Sequence, residues 1–278
     1  SYTTPRNDLL FKFFNLFDKK SIDIILIESS SQGLHQGRLN HIDFDISLVT
    51  NITRDHLDYH KNYLNYIKSK CKLLNMTKKA IFLNKDCKKN NQILKLTSTS
   101  AKIIYFNNKY KISSHKTKLF DSTSNQYNLS SLYSILKYTK NSDRDIISIF
   151  ENLNPIPGRN NVIQKKGSAK FIIDYAHTNH ALTSLLKDIH KKYNKNYNKI
   201  IIVFGCGGDR DSKKRLAMGR TADKYCDHII LTDDNPRSEQ SIKIIKEIAK
   251  GISDEDKVIE LPNRKHAIKK SIKMSNKD

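Results

Sequence analysis

The stretch "KIIIVFGCGGDRDSKKR" (Lys199 to Arg215) decides how the chain is read. An apolar run, Ile200 to Phe204, meets three glycines, Gly205, Gly207 and Gly208, and then a charged segment with helical patterning. That order predicts a strand, a tight bend and the start of a helix. A dinucleotide fingerprint needs glycine where Arg210 stands, and a phosphate loop needs Gly-Lys-Ser/Thr, which this stretch lacks. What is left is a bend followed by Asp209, Arg210, Asp211, Lys213, Lys214 and Arg215, a place suited to an anion.

The same rhythm extends outward in both directions. Short apolar runs predict strands at Asp23–Glu28, Phe44–Thr50, Ala80–Asn84 and Lys102–Phe106. Ser113 to Gln126 is weakly patterned and reads as loop or irregular strand, and helix is predicted from about Leu129 to Leu153. "NPIPGRNN" (Asn154 to Asn161) then breaks the pattern, since two prolines and a glycine stop a helix. Beyond it strands are predicted at Lys170–Asp174, Lys199–Phe204 and His228–Thr232, with Thr178 capping a helix that runs to about Tyr193. The fold class expected is α/β with mostly parallel sheets, in two domains, 1–157 and 158–278. Five polar motifs, "ESSSQGLHQGR", "NITRDHLDYH", "DYAHTNH", "GCGGDRD" and "TDDNPR", all follow predicted strands. Ligands of open α/β sheets bind at such strand ends, so a cleft between two domains is expected, an arrangement common in enzymes that join two substrates.

Composition narrows the partner. The chain has 278 residues and a formal charge of +22, which by itself suggests nucleic acid. Its 40 Lys are dispersed among many Ile and Asn, however, which points to a chain-wide bias rather than one basic stripe. Six of the 10 Arg (Arg38, Arg54, Arg159, Arg210, Arg215 and Arg237) fall instead within the short motifs, where a planar fork can grip carboxylate or phosphate. Aromatic-rich RNA-binding signatures and Cys/His fingers are missing, so no nucleic-acid partner is expected. The four cysteines lack metal or disulfide spacing, consistent with a reducing cytoplasm, and neither a spanning segment nor a secretory signal is read.

The motifs carry chemistry with competing bland readings. His56 and His60 lie four apart, but the residue after His56 is Leu57 rather than the Glu of a zinc protease, and an oxygen-rich magnesium site with Glu28 and Asp55 fits better. Asp174 could accept from a ribose hydroxyl or orient His177, although Asp and Thr are also ordinary helix starters. "TDDNPR" mixes two carboxylates with an arginine, matching a zwitterionic ligand, while a charged surface turn is the plain alternative.

Taken in order, "YTTP", "ESSSQGLHQGR", "NITRDHLDYH", "YIKSK", "PIPGR", "DYAHTNH", "FGCGGDRDSKKR" and "TDDNPR" resemble the ATP-dependent Mur ligases, most nearly the MurE type. The resemblance implies a partial central ATPase domain followed by a Rossmann-like C-terminal domain. It implies that Thr3, Thr4, Ser30, Gln36 and Arg38 hold UDP-N-acetylmuramoyl-L-Ala-D-Glu, and that Glu28 and His56 bind Mg2+. Lys70, carbamylated to N6-carboxylysine, would complete that catalytic metal site. Asn51, Arg159, Asp174 and His177 fall near ATP, and Arg215, Asp234, Asn235, Pro236 and Arg237 fall at the pocket for meso-diaminopimelate. A cytoplasmic monomer acting in peptidoglycan synthesis is expected.

Some features depart from the resemblance. Gln32 stands where His is common and Asn179 where Pro is common, and the chain contains neither the family's phosphate loop nor its "GKGHE" segment. The expectation is therefore a piece of a longer ligase with little activity alone. The alternatives are an inactive muropeptide-binding remnant, another Mur or folylpolyglutamate-type ligase, or a basic nucleic-acid-binding protein.

Overall fold

The computed structural model describes residues 3–18, 20–108, 122–154, 156–165, 167–193 and 199–275. The predictions for 113–121 and for Pro155 lie outside these residues. The described residues pack into two units: those of Ser1–Lys109 with Tyr127–Asn141, and those of Tyr110–Gln126 with Ser142–Asp278.

In the first unit, helices α1 (Asn7–Asp18) and α2 (Ser31–His35) precede β1 (Phe44–Val49), α3 (Leu57–His60), α4 (Tyr63–Asn75), β2 (Thr77–Asn84), α5 (Asn90–Lys95) and β3 (Lys102–Phe106), and α6 (Thr123–Tyr138) belongs to it from Tyr127 onward. The three strands form a parallel sheet in the order β1-β2-β3. Strand β2 is central and buried from Ala80 to Asn84, and its period of two sorts the side chains between two cores. Ile81 and Leu83 pack with Ile67, Cys71 and Leu74, while Ala80 and Phe82 pack with Phe106, and the Phe82 ring meets Tyr138 edge-on.

The second unit contains α7 (Asp143–Glu151), β4 (Asn161–Gln164), β5 (Lys170–Ile173), α8 (Asn179–Tyr193), β6 (Ile201–Phe204), α9 (Lys213–Tyr225), β7 (His228–Leu231), α10 (Ser241–Ala249), β8 (Val258–Glu260) and α11 (Arg264–Ser275). Its parallel sheet runs β6-β7-β8. Ile229 and Leu231 share a core with Met218 and Ala222 of α9, Ile244, Ile245 and Ile248 of α10, and Leu182 and Leu186 of α8. Asn179, placed where proline was expected, opens α8, and its side-chain oxygen accepts from Thr221 Oγ1 at 2.7 Å, tying α8 to α9.

Four expectations need correction. Asp23–Glu28 is not a strand: it has no ladder partner among the described residues, and Ile24 and Leu26 are 75% and 92% exposed. Apolar composition supplies β propensity, but a strand exists only where another backbone completes its hydrogen bonds. The helix predicted over 129–153 is two helices, because Lys140 takes a positive φ of 67° and Ser142 caps α7 by accepting from the Asp145 amide at 3.2 Å. Thr123–Gln126, read as loop, is the first turn of α6. Finally, β5 pairs antiparallel with β4, a strand that the alternation of polar and apolar residues did not reveal. The cap by Thr178 is present, with its hydroxyl accepting from the Ala181 amide at 3.2 Å.

Because Phe82 is fully buried and fills one face of β2, Phe82→Ala should destabilise the protein by about 3–5 kcal/mol in chemical denaturation. A loss below about 1 kcal/mol would contradict the central place of this strand.

Candidate functional site

Four of the five polar motifs lie just beyond the carboxyl ends of strands, namely β1, β5, β6 and β7. The fifth follows the extended segment that forms no strand. The side chains fall into separate clusters within each unit.

In the first unit, Thr4 is fully buried and organises the turn before α2. Its hydroxyl accepts from the Ser30 amide at 2.8 Å and lies 2.9 Å from the Glu28 carbonyl and 3.1 Å from Ser30 Oγ. Ser30 caps α2, its Oγ accepting from the Gly33 amide at 3.1 Å. A Cβ on Gly33 would sit 2.8 Å from that of Thr4, so only glycine lets the two backbones approach this closely. Arg38 Nη1 donates to the Thr4 carbonyl at 3.0 Å and its Nη2 to Gln36 Oε1 at 2.5 Å. Thr4, Ser30, Gln36 and Arg38 are thus assembled as one cluster, with Thr3 exposed beside them.

A buried imidazole links this cluster to α4. Ser69 Oγ gives its proton to the Asn65 carbonyl at 2.8 Å, so towards His60 Nδ1, 3.4 Å away, it accepts. Nδ1 therefore carries the imidazole proton, and Nε2 accepts from Ser31 Oγ at 3.0 Å. Burial, with His35, His56 and Lys70 adding positive charge nearby, lowers the His60 pKa to about 4. Ser31 is the neighbour of Ser30, and Ser69 is the neighbour of Lys70. The imidazole bridges the segments that carry both.

Lys70 lies on α4 with its Nζ 5.5 Å from the centre of the Tyr66 ring. Desolvation lowers its pKa, while the carboxylates of Asp55 and Glu28 oppose that shift. An amine held towards its neutral form is the form that adds carbon dioxide, so Lys70 fits the carbamylation that the family resemblance implies. His56, at a left-handed φ of 53° before α3, has Nε2 3.4 Å from Asp55 Oδ2. Glu28 is exposed. No described cluster of three or more His, Cys, Asp and Glu has the arrangement of a metal site. Magnesium is content with one or two protein carboxylates plus water and phosphate oxygens, so Glu28, His56 and a carboxylated Lys70 fit its chemistry. Asn51, beyond β1, turns its Oδ1 onto the Ile52 amide at 2.9 Å.

In the second unit, both Asp174 oxygens are engaged by backbone amides, Oδ2 by Asn160 at 2.7 Å and Oδ1 by Ala176 at 2.8 Å. Each oxygen keeps a further lone pair for a ligand. His177 is exposed, with Nδ1 3.0 Å from the Tyr175 carbonyl, and Arg159 stacks over the Tyr175 ring at 5.1 Å.

The opening bend and the "DNPR" loop are bound face to face. The Gly208 amide donates to the Asn235 carbonyl at 2.8 Å, and Arg237 Nη1 donates to the Gly208 carbonyl at 2.5 Å. A Cβ on Gly208 would fall 1.8 Å from the Pro236 carbonyl oxygen, which explains the glycine. Asp209 accepts from Ser238 Oγ at 2.6 Å and from the Ser238 amide at 3.2 Å, and these bonds lower its pKa. Asp234, Asn235 and Arg237 are exposed and Pro236 half-buried. Arg215, expected to face the amino acid, is instead only 1% exposed and points inward to Glu239 and Glu247. Neither of those two glutamates, nor the role of His60, emerged from the sequence, because each acts on another element of the fold through space.

Parallel sheets with polar side chains gathered beyond their strand ends define an α/β chain of the kind that binds ligands there, and comparison with known proteins places it more narrowly. Residues 1–164 match the Mur ligase middle domain and residues 158–278 the Mur ligase glutamate ligase domain. The chain belongs to the Mur ligase family. It is 38% identical over 294 residues to a UDP-N-acetylmuramoyl-L-alanyl-D-glutamate–2,6-diaminopimelate ligase of Wigglesworthia glossinidia brevipalpis, covering 95% of this chain and 58% of that protein. It is 36% identical to the protein of the same name from Aquifex aeolicus, covering 98% of this chain and 60% of that one. The chain thus spans about three-fifths of the length of these relatives. In fold it resembles Mycobacterium tuberculosis folylpolyglutamate synthase, with a TM-score of 0.67 at 14% identity over 84% of this chain and 58% of that one. Acinetobacter baumannii MurF superposes with a TM-score of 0.63 at 15% identity, over 83% of this chain and 53% of that one.

The His60 environment has a pH signature. Its folded-state pKa of about 4 lies below the free value of 6.5, so between those values the unfolded chain binds more protons than the folded one. Stability from this site is complete above that window and falls as pH drops through it. The His60 ring should titrate near 4 in an NMR pH series. A midpoint at or above 6.5 would contradict the burial and pairing described.

Proposed function

We propose that the complete protein is an ATP-dependent ligase that adds meso-diaminopimelate to UDP-N-acetylmuramoyl-L-Ala-D-Glu in peptidoglycan synthesis. Family membership supports the reaction type, and the names of the relatives support the substrate. The observation that carries the choice of amino acid is the "DNPR" loop, folded against the "GCGGDRD" bend with Arg237 exposed at its tip.

Mur ligases as a family use ATP and Mg2+. Joining a carboxylate to an amine requires activation, and transfer of the γ-phosphoryl group to the carboxylate gives an acyl phosphate and ADP. The amine of diaminopimelate then attacks the acyl carbon, phosphate leaves, and the nitrogen loses a proton. When bound, magnesium neutralises charge developing on the phosphoryl and acyl oxygens. Glu28, His56 and carboxylated Lys70 would hold it, as the catalytic set.

The other proposed roles follow the clusters. Thr3, Thr4, Ser30, Gln36 and Arg38 bind the UDP-muramoyl dipeptide, the Arg38 fork being already aligned by Thr4 and Gln36. Asn51, Arg159, Asp174 and His177 are assigned to the neighbourhood of ATP, with the ring of Tyr175 backing the Arg159 guanidinium. Asp234, Asn235, Pro236 and Arg237 receive diaminopimelate, and Arg237 pairs with its far carboxylate. No described helix is long and apolar enough to cross a membrane. The location we propose is the cytoplasm. We take the working unit to be a monomer.

The test is ADP release by the complete gene product. It should require the dipeptide substrate and favour meso-diaminopimelate over lysine by about 100-fold or more, because lysine leaves the arginine without its carboxylate. Arg237→Ala should remove most of that preference. Lys70→Ala should lower kcat by about 100-fold or more. Equal turnover with lysine and diaminopimelate would refute the assignment of the amino acid, and full activity of Lys70→Ala would refute the metal site.

A further inference from the structure

The proposed amino-acid loop is exposed, short and strained, with Arg237 at a φ of 51°. The bend facing it is similar, with Asp209 also at 51°. The bonds described above tie bend and loop to one another, and backbone bonds from Thr232 and Asp233 to Phe204 and Pro262 anchor the start of the loop. Arg215 on α9 adds a charged connection to the body of the unit. Its Nη1 donates to Glu239 Oε2 at 2.8 Å and its Nη2 to Glu239 Oε1 at 2.7 Å, a two-pronged pairing. Nη1 also reaches Glu247 of α10 at 2.8 Å, and Nη2 reaches the Gly207 carbonyl at 3.3 Å. Glu239, two residues past the loop, then receives the Asp209 amide on Oε1 at 2.6 Å. One carboxylate thus fastens the bend, the segment after the loop and helix α9 together.

We propose that Arg215 does not touch the incoming amino acid but, with Glu239, forms the clamp that positions the loops of the acceptor site. Glu239 is then a positioning residue for the amine substrate. This rests on the ligase reading above for the identity of that substrate, while the clamp itself rests on the geometry.

The burial of Arg215 excludes direct recognition: its terminal nitrogens face Glu239, Glu247 and Gly207, and its Nε has no partner among the described residues. The charge is held by the half-buried carboxylates of Glu239 and Glu247. Arg215 holds Glu239 ionised, its pKa lowered to about 2 by the paired bonds. A glutamine at position 239 would turn an NH2 group onto the guanidinium in either orientation, and onto the Asp209 amide as well where it replaces Oε1, placing donor against donor. An aspartate would keep the charge but lack the reach to satisfy both partners. Neither change touches the ATP residues, so the damage should fall on the acceptor.

The experiment measures steady-state kinetics of the complete gene product and its Glu239→Gln and Glu239→Asp variants, varying each substrate separately. Hydrogen exchange of the segment 205–211 is followed in parallel. Glu239→Gln should raise KM for the amino acid about tenfold or more, leave KM for ATP within about twofold, and speed exchange at Gly208 and Asp209. Glu239→Asp should show the same pattern, smaller, and serves if the glutamine variant does not fold. An unchanged amino-acid KM together with unchanged exchange would overturn the clamp. Equal rises in KM for all substrates would overturn it in favour of a general structural role. If the wild-type protein ligates no amino acid, the ligase reading fails, and the exchange data still decide whether Glu239 braces the loops.

Discussion

An ionised guanidinium that is almost completely shielded from water dictates the geometry around it. Arg215 can be buried only because Glu239, Glu247 and the Gly207 carbonyl converge on its terminal nitrogens. Breaking such a pair leaves a stranded charge, so the elements carrying these partners are not independent. The last turn of α10, the segment after the "DNPR" loop and the glycine bend after β6 are all committed to one arrangement. An exposed loop with little apolar contact of its own thereby acquires a defined shape.

The first unit solves a similar problem with neutral groups. Its apolar cores flank β2, yet the polar candidate residues are set by a chain of hydroxyls and one neutral imidazole. Thr4 fixes the turn that carries Ser30, and His60 reaches from Ser31 to Ser69 beside Lys70. Each hydrogen bond is individually modest, but each buried polar atom left unmatched would be costly. The same network leaves the Arg38 fork aligned by Thr4 and Gln36.

Much of this was legible in the chain. Apolar runs marked β1, β2, β3, β5, β6 and β7, Thr178 announced α8, and the order of the motifs was enough to identify the family. The Asp23–Glu28 run misled because strand formation is a property of two backbones, and one sequence segment carries only half of the bonding. The break between α6 and α7 had a signal in Asn141-Ser142-Asp143, but the apolar periodicity on either side concealed it.

What the sequence determined by itself is the class of chemistry, because residue type and local spacing set which groups can donate, accept or carry charge. It also determined the strand-turn-helix rhythm, since side-chain alternation and glycine bends act over a few residues. Tertiary structure alone decided which of those groups face solvent and which face one another. Arg215 looks in the sequence like a hand held out to a ligand, and Glu239 and Glu247, 24 and 32 residues further on, turn it inward. No local pattern records that choice: it depends on burial and on charge pairing between elements distant in the chain.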